Sequence, residues 1–551
     1  MTTSDSLFDL YQPLIFKLDL DNNSNILDTS NEVIFSNNIA YPEISLGFNH
    51  FIHKTKDKTE DLNDYMNRKK VYLVTSLFEK NIDKRNEDVD HSIDFAIHKF
   101  IKDKIDSDAP RILSRAFLKI WEIIIYFDLI PDSENFVSAH VAEGPGSFIQ
   151  ATILYRDLLE KLKKIKSTKK DKYYGVTLDT SNKHLQIEKD FINYYTKGDK
   201  RLNIMDTIPT VEFAKLKDSK FSNDLDEKKD LFGGSNILEN ISDGDITDLQ
   251  TINLFNSFLR GGAKDFPEEE ADLVTADGGF DWKDENLQEQ EAYALIFGEI
   301  VTALKVQKNG GNFVIKIFET FTSNTLKFIE ILKNLYKEVY ICKPFTSRAS
   351  NSEKYVVCKN YVRKNFTKNY EKKLDEMVSA FKKNTDYKIN TIFPDYHISK
   401  QDFDFYKFIN QKVWLKQYEA INNMIKFIKL DNKNGVEYHE FLAKQIEAST
   451  FWNGLFLDNS NYPKIYNYVN NLFKKNKDKS SKNIIINNNK INQNNKSSKN
   501  NEKTRIIKNS DEDSITLADI VVGNSEQIIN FQNIEIKKVS SKKGKKGKYS
   551  K

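Results

Sequence analysis

Three stretches between residues 272 and 359 decide the fold: DLVTADGGFD at Asp272–Asp281, GGNFVIKIFE at Gly310–Glu319 and KPFTSRASNSEKYVVCK at Lys343–Lys359. Each contains a short apolar run (LVTA, FVIKIF, YVVCK) bounded by Gly, Pro, Ser or Asp, the pattern of buried strands that stop at a working edge. Each run also carries a charge where an apolar side chain would pack better, namely Asp277, Lys316 and Glu353. A charge in or beside a buried strand is costly unless it is paired or performs chemistry. Any one of them alone reads as part of a structural ion pair. The three together point to a site.

Reading outward, QEQEAYALIFGEIVTALKVQ (288–307) is an amphipathic helix closed by Gly310-Gly311, and SNTLKFIEILKNLYKEV (323–339) is another that feeds the strand VYICK. Upstream, FVSAHVAEGPGSFIQATILYRD (136–157) reads as strand, glycine-rich turn and helix. Gly144 and Gly146 allow a sharp turn and a close backbone approach, and the helix starting near Ser147 offers its amides. That is the shape of a dinucleotide-type or adenosyl-type loop. It lacks the third glycine of the dinucleotide fingerprint and the Gly-Lys-Ser/Thr of a P-loop, so a nucleotide phosphate is not its natural ligand.

YYGVTLD (173–179) reads as the second strand, and the polar passage from 180 to 240 as an insertion or long surface loop. SDGDIT (242–247) is an acidic turn suited either to a purine edge or to capping the helix DLQTINLFNSFL. Before the glycine loop, ILSRAFLKIWEIIIYF (112–127) is a strongly apolar helix carrying Arg115 and Lys119; a lysine there ordinarily snorkels to the rim.

Strands alternating with helices predict an α/β fold, a Rossmann-like and mostly parallel sheet covered on both faces. The loop between VYICK and KYVVCK is too short for a helical crossover, so the final pair is expected to be antiparallel. The domain reading is a partly helical N-terminal extension (1–105), a central domain (106–362), a helical C-terminal region (363–473) and a low-complexity basic tail (474–551).

Composition sets outer bounds. A net charge of +3 over 551 residues provides no global basic signature. Two cysteines, Cys342 and Cys358, exclude a disulfide framework and a thiolate zinc site, and both read as buried free thiols of a reducing compartment. There is neither a run of about 18 apolar residues nor a basic-then-apolar leader, so no membrane association and an intracellular location are expected: cytoplasm first, a viral factory, virion or nucleus as alternatives. The Asn- and Lys-rich composition suits an A+T-rich genome such as that of a large DNA virus or a protist.

Lys119 in SRAFLKIWEI, the EGPGSF loop, Asp277 in ADGGFD, Lys316 in GGNFVIKIF and Glu353 in KPFTSRASNSEKYVVCK together resemble the FtsJ-like RNA ribose 2′-O-methyltransferases. Within them the late motif is most similar to the mRNA cap-1 branch. The resemblance runs from Arg111 to Val362, less the insertion. It implies a Lys119–Asp277–Lys316–Glu353 tetrad, with S-adenosylmethionine as cofactor and no metal. The methionine part would lie over Glu143, Gly144, Pro145, Gly146, Ser147 and Phe148, the purine near Asp245 and Ile246, and Asp277 would approach both cofactor and substrate. Arg115, Ser347 and Arg348 become RNA contacts. The implied partners are RNA, capped mRNA first, and other capping enzymes.

The chemistry suits the residues. A ribose hydroxyl is a poor nucleophile, so the enzyme must hold its oxygen in line and handle one proton. Lys316 is expected at that hydroxyl, with Lys119 disfavouring a second positive charge and the two carboxylates limiting that effect. Ser147 departs from the family by standing where a second glycine is common, and Ser350 differs slightly in the late motif. The alternatives are a ribosomal or transfer RNA ribose methyltransferase, which the same tetrad would serve, and a catalytically silent RNA-binding subunit, which the filled tetrad argues against.

Overall fold

The computed structural model describes residues 11–20, 24–44, 46–60, 75–82, 91–180, 186–197, 201–208, 241–260, 269–279, 284, 286–430 and 436–473. The expected basic tail, and most of the expected 180–240 insertion, lie outside these residues. In chain order the elements are β1 (Leu14–Lys17), β2 (Val33–Ser36), α1 (Leu46–Glu60), α2 (Ile93–Lys104), α3 (Ala116–Phe127), β3 (Val137–Val141) and α4 (Ser147–Lys161). They continue with β4 (Lys172–Val176), α5 (Lys189–Lys197), β5 (Leu202–Ile204), α6 (Leu249–Arg260), β6 (Ala271–Ala276), α7 (Tyr293–Val306) and β7 (Gln307–Ile317). The last are α8 (Ser323–Leu335), β8 (Tyr336–Lys343), β9 (Lys354–Tyr361), α9 (Lys368–Lys383), β10 (Lys388–Ile392), α10 (Lys400–Leu430) and α11 (Val436–Phe456).

Eight strands form one sheet in the order β5-β4-β3-β6-β7-β9-β8-β1. The strands from β5 to β7 run parallel, whereas β9 is antiparallel to both β7 and β8. The expected final hairpin is present, with its second strand inserted between β7 and β8. Alternation along the strands sends Val274, Phe313, Ile315 and Val356 into one core and Leu273, Val314, Tyr355 and Val357 into the other. Helices α6 to α10 cover the first face, and α2, α3, α4 and α11 the second. Burial on both faces is what makes these strands read as continuous apolar runs.

Three local readings differ. The passage from 180 to 240 holds α5 and the edge strand β5, which is only three residues long and so leaves almost no periodic signal. The N-terminal segment is part of the main sheet, since β1 pairs antiparallel with β8. In the C-terminal region, expected to be helical, β10 pairs with β2.

The sheet order reverses at β3, which has β4 on one side and β6 on the other. In such sheets the crevice outside the carboxyl ends of the strands at this point receives the ligand. Register then does the rest. Ala276 pairs with Ile315, so Asp277 falls beside Lys316, and Ile317 pairs with Lys354, so Glu353 lies at the same edge.

Candidate active site

The glycine loop leaves β3 at Val141 and turns into α4 within five residues. Gly146 has φ +108°, a conformation strained for any other residue, and an added Cβ would press on the Phe191 ring at 3.2 Å. Glu143 is buried. Its Oε1 accepts the N–H groups of Phe148 (2.6 Å) and Ile149 (3.0 Å), two of the orphan donors at the start of α4. Its Oε2 has no hydrogen-bond partner. Burial pushes this carboxyl well above the usual range, against the pull of those two amides. Ser147 is also held from behind, its Oγ 2.8 Å from the Ser114 hydroxyl.

Along the same edge the Gly144 N–H donates to Thr177 Oγ1 at 3.3 Å, just past β4. The acidic turn lies against this strand end: Asp179 N–H donates to the Asp243 carbonyl at 2.8 Å, and at Gly244 (φ +80°) a Cβ would fall 2.0 Å from the Thr177 carbonyl oxygen. Asp245 closes the turn itself, and Asp248 is the residue that caps the helix, accepting the Gln250 N–H at 3.0 Å. One Asp245 oxygen accepts the Thr247 N–H at 2.9 Å and its hydroxyl at 2.7 Å, and the other pairs with Lys382 of α9. Burial works to raise the Asp245 carboxyl, but Lys382 and Thr247 hold it below its usual value. Ile246 is buried, and its carbonyl packs on Gly298 of α7 so closely that a Cβ there would come within 2.2 Å.

Asp277, Lys316, Lys119 and Glu353 converge from β6, β7, α3 and the start of β9. Lys316 Nζ donates to the Asp277 carbonyl at 3.0 Å and lies 3.1 Å from its Oδ1. Lys119 Nζ is 2.8 Å from both oxygens of Glu353. Each of the four side chains is only 12–16% exposed, enough to reach a ligand while excluding most water. Burial alone would raise the Glu353 carboxyl, but the ammonium groups of Lys119, Lys316 and Lys343 outweigh it and hold Glu353 at about 2. Burial likewise works to lower Lys316, but Asp277, Glu353 and Glu299 outweigh it and raise its pKa. The expected depression of Lys316 by Lys119 is thus overridden: three carboxylates surround one amine, and the net field favours the ammonium.

The residues expected to touch RNA are engaged by the protein. Ser347 Oγ donates to Glu353 Oε1 at 2.9 Å. Arg115 and Arg348 both pair with the buried Glu79, and Arg115 also donates to the Thr346 carbonyl.

Several members of the site escaped the sequence reading. Tyr355 donates to Asp277 Oδ1 at 3.4 Å, and its ring lies 6.1 Å from that of Phe148, tying the glycine loop to the tetrad. Lys343 is buried with Ser347 Oγ, Glu353 O and both oxygens of Asn351 within 3.1 Å, so it organises the loop that delivers Glu353. Burial pulls it down to about 7. Glu122, one turn after Lys119, accepts the N–H groups of Phe345 (2.7 Å) and Thr346 (2.9 Å), the Thr346 hydroxyl (2.6 Å) and Trp452 Nε1 of α11 (3.0 Å). The available signal was the same for Glu122 and Glu299: an acid inside an otherwise apolar helix needs a partner.

Residues 112–361 match the FtsJ-like methyltransferase family. Over 185 residues the chain is 30% identical to cap-specific mRNA (nucleoside-2′-O-)-methyltransferase 2 of Drosophila melanogaster, covering 33% of this chain and 26% of that one. The corresponding protein of Pongo abelii is 31% identical over 254 residues, covering 45% and 27%. Cap-specific mRNA (nucleoside-2′-O-)-methyltransferase 1 of Mus musculus is 41% identical over 118 residues, covering 21% and 14%. The chain thus spans about a quarter or less of the length of these relatives.

Proposed function

We propose, from the premise that residues 112–361 form an FtsJ-like methyltransferase domain, that this protein transfers methyl from S-adenosylmethionine to a ribose 2′-hydroxyl of RNA. The substrate we favour is the first transcribed nucleotide of capped mRNA. One observation carries the reading: two lysine–carboxylate pairs meet at the carboxyl edge of the sheet, beside a glycine loop whose buried Glu143 has an unpartnered oxygen. The likeness to cap-specific relatives supports the substrate.

The loop suits the cofactor. Glu143 Oε2 is an acceptor lacking a donor, which an amino-acid ammonium would satisfy, and the backbone turns past it through Gly146 at φ +108°. Asp245 and Ile246 border the same crevice where the purine would lie. Bound S-adenosylmethionine supplies a methyl on a sulfonium, which departs without help from a metal.

The chain's own groups then orient and exclude. Asp277 takes two of the contacts available to Lys316 and so fixes its Nζ, leaving a donor direction for a ribose oxygen. Because its surroundings raise Lys316, the ammonium form is the one present at neutral pH, and it steers the oxygen rather than abstracting its proton. The hydroxyl proton becomes strongly acidic as the oxygen is alkylated and leaves to water. Lys119 pairs directly with Glu353 and offsets part of the cost of burying that anion.

The test is transfer of labelled methyl to short RNA carrying a 7-methylguanosine cap, beside uncapped and internally structured RNA. Cap-dependent transfer to the first ribose, lost in Lys316→Ala, is expected. Transfer confined to structured RNA would move the substrate to ribosomal or transfer RNA. Absence of transfer with RNA binding intact would leave a silent binding subunit.

A further inference from the structure

Glu299 is the one acid of α7 buried at 1% exposure, set among Ile296, Phe297, Ile300 and Val301. Its Oε1 accepts the N–H of Gly278 at 2.9 Å, the residue immediately after Asp277. The approach is so close that a Cβ on Gly278 would stand 2.3 Å from that oxygen. Its neighbour Gly298 supports the Ile246 carbonyl of the acidic turn. Consecutive residues of one helix therefore hold both halves of the site in register.

Resting on the function proposed above, we infer that Glu299 is a positioning residue: it fixes the Asp277–Gly278 turn so that Asp277 meets Lys316, and once ionised it stands as a third carboxylate beside that amine. The groups facing Glu299 are Lys316 on β7 and Asp277 at the end of β6; those facing Lys316 are Asp277, Glu353 and Glu299. Burial pushes the Glu299 carboxyl up to about 8, so it is ionised where Lys316, raised above its ordinary value of 10.5, loses its proton. An anion beside an amine raises the amine's pKa. Removing that anion must lower it.

Two variants separate geometry from packing. Glu299→Met removes the acceptor and is expected to lower kcat about 10- to 100-fold, the range for a small misplacement of a catalytic group, with KM for cofactor and RNA within about threefold. Glu299→Gln retains an oxygen for the Gly278 N–H and should stay within about threefold of wild-type kcat. Wild-type kcat in Glu299→Met, or equal losses in both folded variants, would overturn the inference.

If Glu299→Met fails to fold, the glutamine variant decides through a readout independent of turnover. In ¹³Cε-lysine spectra the Lys316 resonance, assigned by its loss in Lys316→Arg, should titrate at lower pH in Glu299→Gln than in wild type. An unchanged titration overturns the inference. Wild-type protein that methylates none of the RNAs would sink the proposed function instead, while the lysine titration still judges Glu299.

Discussion

Two buried carboxylates hold the Pro344–Ser352 loop from opposite sides, and they do so by different chemistry. Glu122 is surrounded by neutral donors: two backbone N–H groups, the hydroxyls of Thr346 and Tyr126 and an indole. Glu353 is surrounded by ammonium groups. Burial dominates the first and raises its carboxyl, whereas in the second the three lysines overcome burial and bring it to about 2. Neutral donors fix position and add little field. Ammonium groups add field, and so change what a neighbouring group can do. The comparison separates the part of the site that shapes the loop from the part that acts on substrate.

The largest effect that this contrast predicts is on turnover. Lys316→Ala removes the cation shared by Asp277 and Glu353, and methyl transfer should fall by about 10³-fold, equivalent to about 4 kcal/mol in the barrier. Its stability should fall by less than the barrier rises, about 2 kcal/mol, since Asp277 loses a largely buried partner but keeps the Tyr355 hydroxyl. A urea melt and a single-turnover assay on the same preparation check both halves. A large loss of stability with the rate unchanged would place Lys316 with Glu122 instead.

Glu122→Gln should show the reverse. The amide supplies one acceptor oxygen for five donors and presents N–H groups of its own to the rest, so a stability loss of about 3 kcal/mol is expected from the unsatisfied groups. At a temperature where the variant is folded, its rate should stay within about tenfold of wild type. A rate loss matching that of Lys316→Ala without loss of stability would erase the distinction.

A pH series sharpens it. The Glu353 carboxyl is depressed in the folded state, from an ordinary 4.5 to about 2. Its contribution is therefore present above about 4.5 and is lost as pH falls toward 2. Glu122 has the opposite sign, because a raised carboxyl costs stability as pH rises through its folded value. Between pH 5 and 3 the wild type should lose about 2 kcal/mol relative to Glu353→Gln. Parallel stability curves for the two proteins would show that Glu353 is not held by the lysines.

How much of this was legible in the sequence follows the same division. Three of the four converging charges could be found because Asp277, Lys316 and Glu353 interrupt apolar strands, whereas Lys119 reads as a rim lysine and joined them only through the family resemblance. The glycine loop could be found because Gly144 and Gly146 interrupt a strand–helix pattern. Register then had to bring them together, and the strand order did so. The strand β5 was missed because Leu202–Ile204 is too short to show a period. Lys343 was passed over because a lysine before proline reads as a turn, while its actual partners are Ser347, Asn351 and the Glu353 carbonyl in the loop that follows. Glu122 has no local signal of its role, because its loop and indole donors come from 223 to 330 residues away, a distance that no local pattern spans.

Trp452 tests the weakest link in that chain. It is fully buried on α11, and its Nε1 donates to Glu122 at 3.0 Å, so α11 reaches the carboxylate behind the loop through a neutral hydrogen bond, while Gln417 of α10 donates to the loop directly at the Ser350 carbonyl (3.2 Å). Trp452→Phe keeps an aromatic ring against Phe456 and deletes that donor. The expected cost is about 1 kcal/mol for the bond, plus a comparable amount for the smaller ring. Because Glu122 retains four donors, three of them from the loop itself, the loop stays in place and methyl transfer should remain within about twofold of wild type. A rate loss of tenfold or more in the folded variant would mean that α11 does more than brace the loop. It would make this helix part of the substrate surface, and the division between shaping and acting residues would have to be redrawn there.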